Sequence, residues 1–129
     1  PDVLGQPLTM ERMFGWLFAP LAWSMGIPWT ESQTAGELLG VKTILNEFVA
    51  YITLADLKES NMFFEQKSLI IATYILCGFA NFASIGIQIG GIGAIAPTRT
   101  KDLSKLGILA LVAGTAACLF TATIVGIII

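Results

Sequence analysis

Two long stretches without a charged side chain constrain this chain more than any other feature. Residues 68–98 and 106–129 contain no Asp, Glu, Lys or Arg. A helix needs roughly 20 apolar residues to cross the hydrocarbon core of a bilayer, so both stretches are long enough. Only 12% of the whole chain is charged, against about 25% in an ordinary soluble domain. The sequence therefore predicts an all-α membrane protein.

The composition also narrows the classes of function. The chain has no His, and His is the commonest general base and the commonest metal ligand. A net charge of −2 offers no attraction to nucleic acid. Cys77 and Cys118 stand singly inside apolar runs, where free Cys is usually buried and inert. We therefore predict no catalytic residue, no metal site and no cofactor, and the protein is not expected to be an enzyme.

The first segment suits the membrane surface. Residues 8–29 hold all three tryptophans, two charged residues and two prolines. Trp prefers the interface between membrane and water, and Glu11 and Arg12 would be costly inside lipid. The pattern predicts an interfacial helix, broken or kinked near Pro20; a poor transmembrane helix is the alternative.

Because the chain begins at Pro1 without an initiator Met, we expect it to be part of a longer protein.

The next segment has a mixed character. Residues 30–36 are polar and predict a loop leading into a helix. On a helix over residues 37–55, Lys42, Thr43, Asn46 and Glu47 would share one face. Taken alone, this is an ordinary amphipathic helix. Beside membrane spans, three ionisable side chains favour a re-entrant helical hairpin over a crossing helix.

The first uncharged run is too long and too rich in helix breakers for one simple span. After a charged loop predicted at residues 56–67, residues 68–96 would extend about 43 Å as one straight helix. Their middle contains Gly, Asn and Ser, which weaken helices. We therefore predict a discontinuous helix with its break near residues 78–84. Broken helices at membrane depth line cavities, and in transporters they bind substrates and ions.

The charges between the uncharged runs predict an orientation. Residues 97–105 carry three cations and one anion, whereas residues 56–67 carry two cations and three anions. Cytoplasmic loops are enriched in Lys and Arg, so residues 97–105 are placed in the cytoplasm. A final transmembrane helix then leaves the C-terminus outside.

Glu47 is the first candidate for a binding residue. A carboxylate within a membrane costs about 2.5–3.5 kcal/mol and therefore usually faces a polar partner, an ion or a substrate. Lys42 lies five residues earlier, which is not a spacing that brings helical side chains together. A carboxylate can accept two hydroxyl groups at once, as a ribose would offer.

Three residues of the predicted break are further candidates. Asn81 and Ser84 are spaced to point the same way in a helix, and binding substrate or joining two helices would suit them equally. Phe79 could stack on a planar ring, although most buried aromatics simply pack.

Nearby glycines imitate a dinucleotide-binding turn at residues 91–96, but no acidic residue follows at the required distance. The small-residue spacing of Gly86 and Gly90 instead predicts close helix packing.

Two motifs together resemble one known family. G-V-K-T-I-L-N-E-F-V-A-Y, residues 40–51, and C-G-F-A-N-F-A-S-I-G-I, residues 77–87, are similar to the signatures of the concentrative nucleoside transporter family. The resemblance implies an interfacial helix within residues 1–29, a re-entrant hairpin over 33–55, a broken transmembrane helix over 68–96 and a last transmembrane helix over 103–129. It further implies scaffold and transport domains assembled as a homotrimer.

The resemblance also implies roles for the candidate residues. Glu47, near the hairpin tip, would bind ribose together with Asn81 and Ser84, and Phe79 would line the pocket. The expected function is sodium- or proton-coupled nucleoside symport across the cytoplasmic membrane by an elevator movement. A missing N-terminal part of the same chain would supply the sites for the base and for sodium. The alternative is a non-transporting membrane subunit or anchor whose polar residues serve packing only.

Overall fold

The computed structural model describes residues 9–60 and 65–129, and the backbone of a two-residue strand pair near the N-terminus. In that pair, β1 (Asp2–Val3) lies antiparallel to β2 (Gln6–Pro7). All other regular structure in the described ranges is helical, which confirms the predicted all-α fold. The helices are α1 (Met10–Ser24), α2 (Trp29–Ile44), α3 (Glu47–Glu59), α4 (Gln66–Leu76), α5 (Phe82–Ile95), a 3-10 helix (Pro97–Arg99) and α6 (Thr100–Ile128).

Of the break or kink predicted near Pro20, the break is wrong, because α1 continues through that residue; a kink there stays a prediction. The chain turns at Met25 and Gly26 instead, and Gly26 adopts a φ of 101°, a conformation open to Gly because it lacks a Cβ. Small buried residues of α1 pack against α2, and this packing offsets the loss of the proline N–H. They are Gly15, Ala19 and Ala22. Side chains before Thr9 lie outside the described residues.

The polar stretch at residues 30–36, predicted as a loop, is already helical in α2. Ser32 Oγ donates to the Pro28 carbonyl at 2.9 Å, and Gly36 fits against the backbone of α1 so closely that an added Cβ would lie 2.9 Å from Ala19 N. Tight packing has therefore overridden the polar local sequence. Glu31, Ser32, Ala35 and Gly36 are buried, so much of the stretch belongs to the interior rather than to a solvated connection.

The helix predicted over residues 37–55 is two helices. Leu45 and Asn46 separate α2 from α3, and the Asn46 side chain accepts the Val49 N–H at 2.9 Å. Asn is among the best residues for starting a helix in this way. The two helices extend from 29 to 59, beyond the predicted limits of 33 and 55, while their re-entrant placement in a bilayer stays a prediction.

The discontinuous helix predicted over residues 68–96 is confirmed. Helix α4 ends at Leu76 and α5 begins at Phe82, so the break covers 77–81 rather than 78–84. The break ends before residue 84 because the Asn81 side chain accepts the Ser84 N–H at 2.7 Å and so starts α5.

The predicted loop at 56–67 is also shorter, since α3 reaches Glu59 and α4 begins at Gln66; residues 61–64 lie outside the described residues.

The apolar core is formed by the helices on either side of these breaks. Buried side chains come from α1, α2, α3, α4 and α6; they include Ala22, Leu38, Leu39, Ala50, Leu54, Ile71, Ile75 and Ala122. Within the described chain, α5 has no buried residue. Among the described residues, one helical stretch, Pro97–Ile128, is long and apolar enough to cross a membrane. The last predicted span therefore exists as a helix of the required length.

Candidate functional site

Glu47 and Asn81 are brought into direct contact. Asn81 Nδ2 donates a hydrogen bond to Glu47 Oε2 at 3.0 Å, across a sequence separation of 34 residues. Asn81 is buried, with 2% of its surface exposed, and Glu47 is half-buried. Two of the predicted site residues therefore form one polar unit at the point where the two helix breaks meet.

The two residues lie at the starts of two different helices. Glu47 is the first residue of α3, and Asn81 is the residue that caps the start of α5. The N-terminus of a helix carries a partial positive charge, so the Glu47 carboxylate lies where the α3 dipole stabilises an anion. After its bond to Asn81, the carboxylate still has lone pairs for further donors.

A cleft of about 260 Å³ opens beside the second break, between α5 and α6. Phe79, Asn81 and Ser84 line it, and Phe79 is exposed over 79% of its surface. Glu47 is not part of the lining; it reaches the cleft only through Asn81. The remaining lining residues are Ala80, Ile85, Gln88, Gly107, Ala110, Leu111 and Gly114.

The C-terminal end of α4 leaves carbonyl groups without partners in the helix, and side chains from three other helices bind them. Tyr51 Oη of α3 donates to the Thr73 carbonyl at 2.7 Å, and Lys42 Nζ of α2 donates to the Ile75 carbonyl at 3.2 Å. The Cys118 thiol of α6 donates to the Cys77 carbonyl at 3.1 Å. Backbone N–H groups in the break reach the Tyr74 and Leu76 carbonyls.

The last carbonyls of a helix have no partner within it and need donors from elsewhere; of the three side-chain bonds, the one from Lys42 to the Ile75 carbonyl is buried. Each carbonyl from residue 73 to residue 77 has a donor, and three of those donors depend on tertiary packing. The position of the break is therefore held by α2, α3 and α6 together. These tertiary contacts act together with the helix-weakening residues of the break itself.

The cysteines differ from the prediction that both are buried packing residues. Cys77 is exposed and Cys118 is half-buried, and both are free thiols. Cys118 also acts as a hydrogen-bond donor, as described above. The reason is that Cys77 lies in the break itself rather than inside a continuous apolar helix.

Two contributors to the site were not predicted from sequence. Gln88 lines the cleft one helical turn after Ser84, and its spacing from Asn81 and Ser84 could have revealed it. The second is Lys42, for which the sequence suggested no partner other than Glu47. Its true acceptor is 33 residues away, and no sequence spacing indicates that pairing.

A polar pair and a cleft at a break between two half-helices, beside a helix of membrane-spanning length, are features of broken-helix membrane proteins, in which such breaks line cavities. The comparisons with known proteins give the family. The family model described as "Na+ dependent nucleoside transporter C-terminus" matches residues 3–126. The chain belongs to this family of nucleoside transporters, which are membrane proteins and not enzymes.

Individual relatives agree in sequence and in fold. The chain is 42% identical to the putative nucleoside permease NupX of Escherichia coli over 92% of its length, which is 28% of that protein. It is also 42% identical to human solute carrier family 28 member 3, over 93% of this chain and 19% of the relative. A structure of CNTnw in an inward-facing substrate-bound state superposes with a TM-score of 0.86 at 42% identity, covering 95% of this chain and 30% of that one.

Proposed function

We propose that this chain forms the ribose-binding part of a cation-coupled carrier that moves nucleosides across the cytoplasmic membrane. The observation that carries the proposal is the hydrogen bond between Asn81 and Glu47 at the meeting point of two helix breaks. The family supports it, since the matching family model is described as a nucleoside transporter and one relative is named a putative nucleoside permease. The chain spans under a third of those relatives, so transport is proposed for the longer protein of which it is a part.

The ribose would be bound by acceptors and donors in complementary positions. The Glu47 carboxylate has lone pairs left for one or two sugar hydroxyls. The Ser84 hydroxyl makes no hydrogen bond with any residue of the described ranges, and it faces the cleft that Phe79 borders. A sugar without hydroxyls would leave these groups unpaired, at a cost of about 1–3 kcal/mol each.

Several features of the proposed carrier extend beyond the described residues. The base site and the coupling-ion site would be supplied by the N-terminal part of the same chain, and the coupling ion would be sodium or a proton. The carrier would work as a homotrimer by an elevator movement, with the C-terminus outside. Uptake measured with a sodium gradient alone and with a proton gradient alone distinguishes the two ions.

The test of the ribose site is uptake of labelled uridine by the full-length protein and by its Glu47→Gln variant. Gln keeps the shape of Glu but replaces a charged acceptor by a neutral amide, so we expect uptake to fall by at least about ten-fold, a loss of about 1.4 kcal/mol. Glu59→Gln, which alters an exposed carboxylate at the end of α3, is the matched control and should transport normally. Normal uptake by Glu47→Gln would refute the role of Glu47.

The alternative, a membrane subunit with packing-only polar residues, makes two structural demands. It requires Glu47 to be paired with another side chain, which the bond to Asn81 provides. It also requires that no polar cavity adjoin the pair, whereas Asn81 and Ser84 line a cleft. Loss of uridine uptake in Glu47→Gln, with normal amounts of protein in the membrane, would exclude this alternative.

A further inference from the structure

Within the described residues, Lys42 is a fully buried lysine without an anionic partner. Its exposed fraction is 0%, and within residues 9–60 and 65–129 the single ion pair joins Arg99 to Asp102. A buried charge is costly unless it is paired or hydrogen-bonded. The Lys42 side chain must therefore be retained at this position by something other than a carboxylate.

The partner of Lys42 is the end of a helix. Its Nζ donates to the Ile75 carbonyl at 3.2 Å, in the last turn of α4. The C-terminus of a helix carries a partial negative charge, and a cation there is stabilised. Lys42 also lies in the last turn of its own helix, α2. A residue in the last turn of one helix before a break therefore donates to the C-terminal end of the other.

The break passes within contact distance of the ammonium. A Cβ added at Gly78 would lie 3.8 Å from Lys42 Nζ and would overlap the sulfur of Cys118. Gly78 is the second residue of the break, three positions before Asn81. The segment that delivers Asn81 to Glu47 thus begins against the Lys42 ammonium.

We propose that Lys42 is a positioning residue for the ribose site. Its ammonium acts as a tethered cation that fixes the C-terminal end of α4 and thereby directs Asn81 toward Glu47. In transporters, the C-terminal ends of half-helices are places where free cations are coordinated; here the cation belongs to the protein. This inference rests on the proposed ribose-binding function and adds a residue that does not itself touch the sugar.

The test uses the full-length transporter with Lys42→Met, which keeps length but removes charge, and Lys42→Arg, which keeps charge. Lys58→Met, at an exposed lysine of α3, is the matched control. For Lys42→Met we expect the KM for uridine to rise by about ten-fold, or about 1.4 kcal/mol, with maximal uptake per transporter nearly unchanged. For Lys42→Arg we expect a KM within about three-fold of the wild type, and for Lys58→Met no change.

A double variant separates positioning from general stability. If Lys42 acts through Asn81, then Lys42→Met should raise the KM little further in an Asn81→Ser background, because coupled positions are not additive. Additive effects would overturn the proposal. If Lys42→Met does not accumulate in the membrane, Lys42→Arg decides the question. If Lys42→Arg accumulates in the membrane and has a KM near that of the wild type, the tethered cation is supported. If neither Lys42→Met nor Lys42→Arg accumulates, the proposal is overturned.

The outcomes for Lys42 and for the ribose site are distinguishable. Absence of uridine uptake by the wild type would refute the proposed function itself. Wild-type uptake that is lost in Glu47→Gln but has an unchanged KM in Lys42→Met would refute only the role of Lys42.

Discussion

Asn81 uses both ends of its side-chain amide. The oxygen accepts the Ser84 N–H and starts α5, while the nitrogen donates to Glu47. A residue bound on one side by backbone has a fixed orientation, so its amide nitrogen is presented to Glu47 without further loss of rotamer freedom. The spacing of Asn81 and Ser84 predicted two parallel side chains; in the structure the side chain of one binds the backbone of the other.

The charge on Glu47 leads to a prediction for Asn81. Asp and Ser are both good residues for starting a helix, so Asn81→Asp and Asn81→Ser should both retain α5. Asn81→Asp places a second carboxylate beside Glu47, and two charges at about 4 Å repel strongly where the dielectric constant is low. We expect uridine uptake to fall further in Asn81→Asp than in Asn81→Ser. Equal uptake by the two variants, at equal amounts in the membrane, would contradict a charged Glu47.

At the scale of the elements, α6 presents a stripe of small residues to the broken helix. A Cβ added at Gly107 would lie 2.7 Å from a side-chain carbon of Ile85, and one added at Gly114 would lie 3.1 Å from Ala80 Cβ. At Gly126 it would overlap the backbone oxygen of Met25. The stripe allows α6 to approach α5, the break and the turn after α1, while its opposite face remains apolar and exposed.

Gly126→Ala tests this close approach. Its new methyl group would meet backbone, which cannot move aside as a side chain can, so we expect a loss of stability of about 1–3 kcal/mol. Thermal unfolding of the purified full-length protein in detergent measures it. Ala113→Val, which adds carbon atoms to the exposed face of the same helix, should change stability by less than about 0.5 kcal/mol. A similar small change for Gly126→Ala would show that the contact is loose.

At the scale of the whole molecule, α5 is the least covered helix. It has no buried residue, and a Cβ added at Gly86 or Gly90 would meet no described atom within 4 Å. The close packing predicted from these glycines is therefore not made within the described chain and stays a prediction for contacts with the longer protein. The coverage of about 30% of the CNTnw chain agrees with a helix whose neighbours lie elsewhere.

The predicted orientation of α6 can be tested with two single substitutions. Ser104→Cys lies near the cationic end of the helix, and Ile129→Cys lies at its other end. With the positive end in the cytoplasm, a membrane-impermeant maleimide added to intact cells should label Ile129→Cys and should label Ser104→Cys only after permeabilisation. The wild type, with Cys77 and Cys118, gives the background. The reverse labelling pattern would invert the topology.

The sequence by itself determined that the chain is helical, belongs in a membrane and is interrupted near residue 78, because these properties depend on runs of apolar residues and on local helix breakers. It predicted a break or kink at Pro20 and a loop at residues 30–36, both of which lie inside helices, because packing of small residues outweighs local preference there. Only the tertiary structure decided that Asn81 meets Glu47 and that Lys42 meets the Ile75 carbonyl. These bonds join residues more than 30 positions apart, and the donor that a buried carbonyl receives depends on which helix packs beside it.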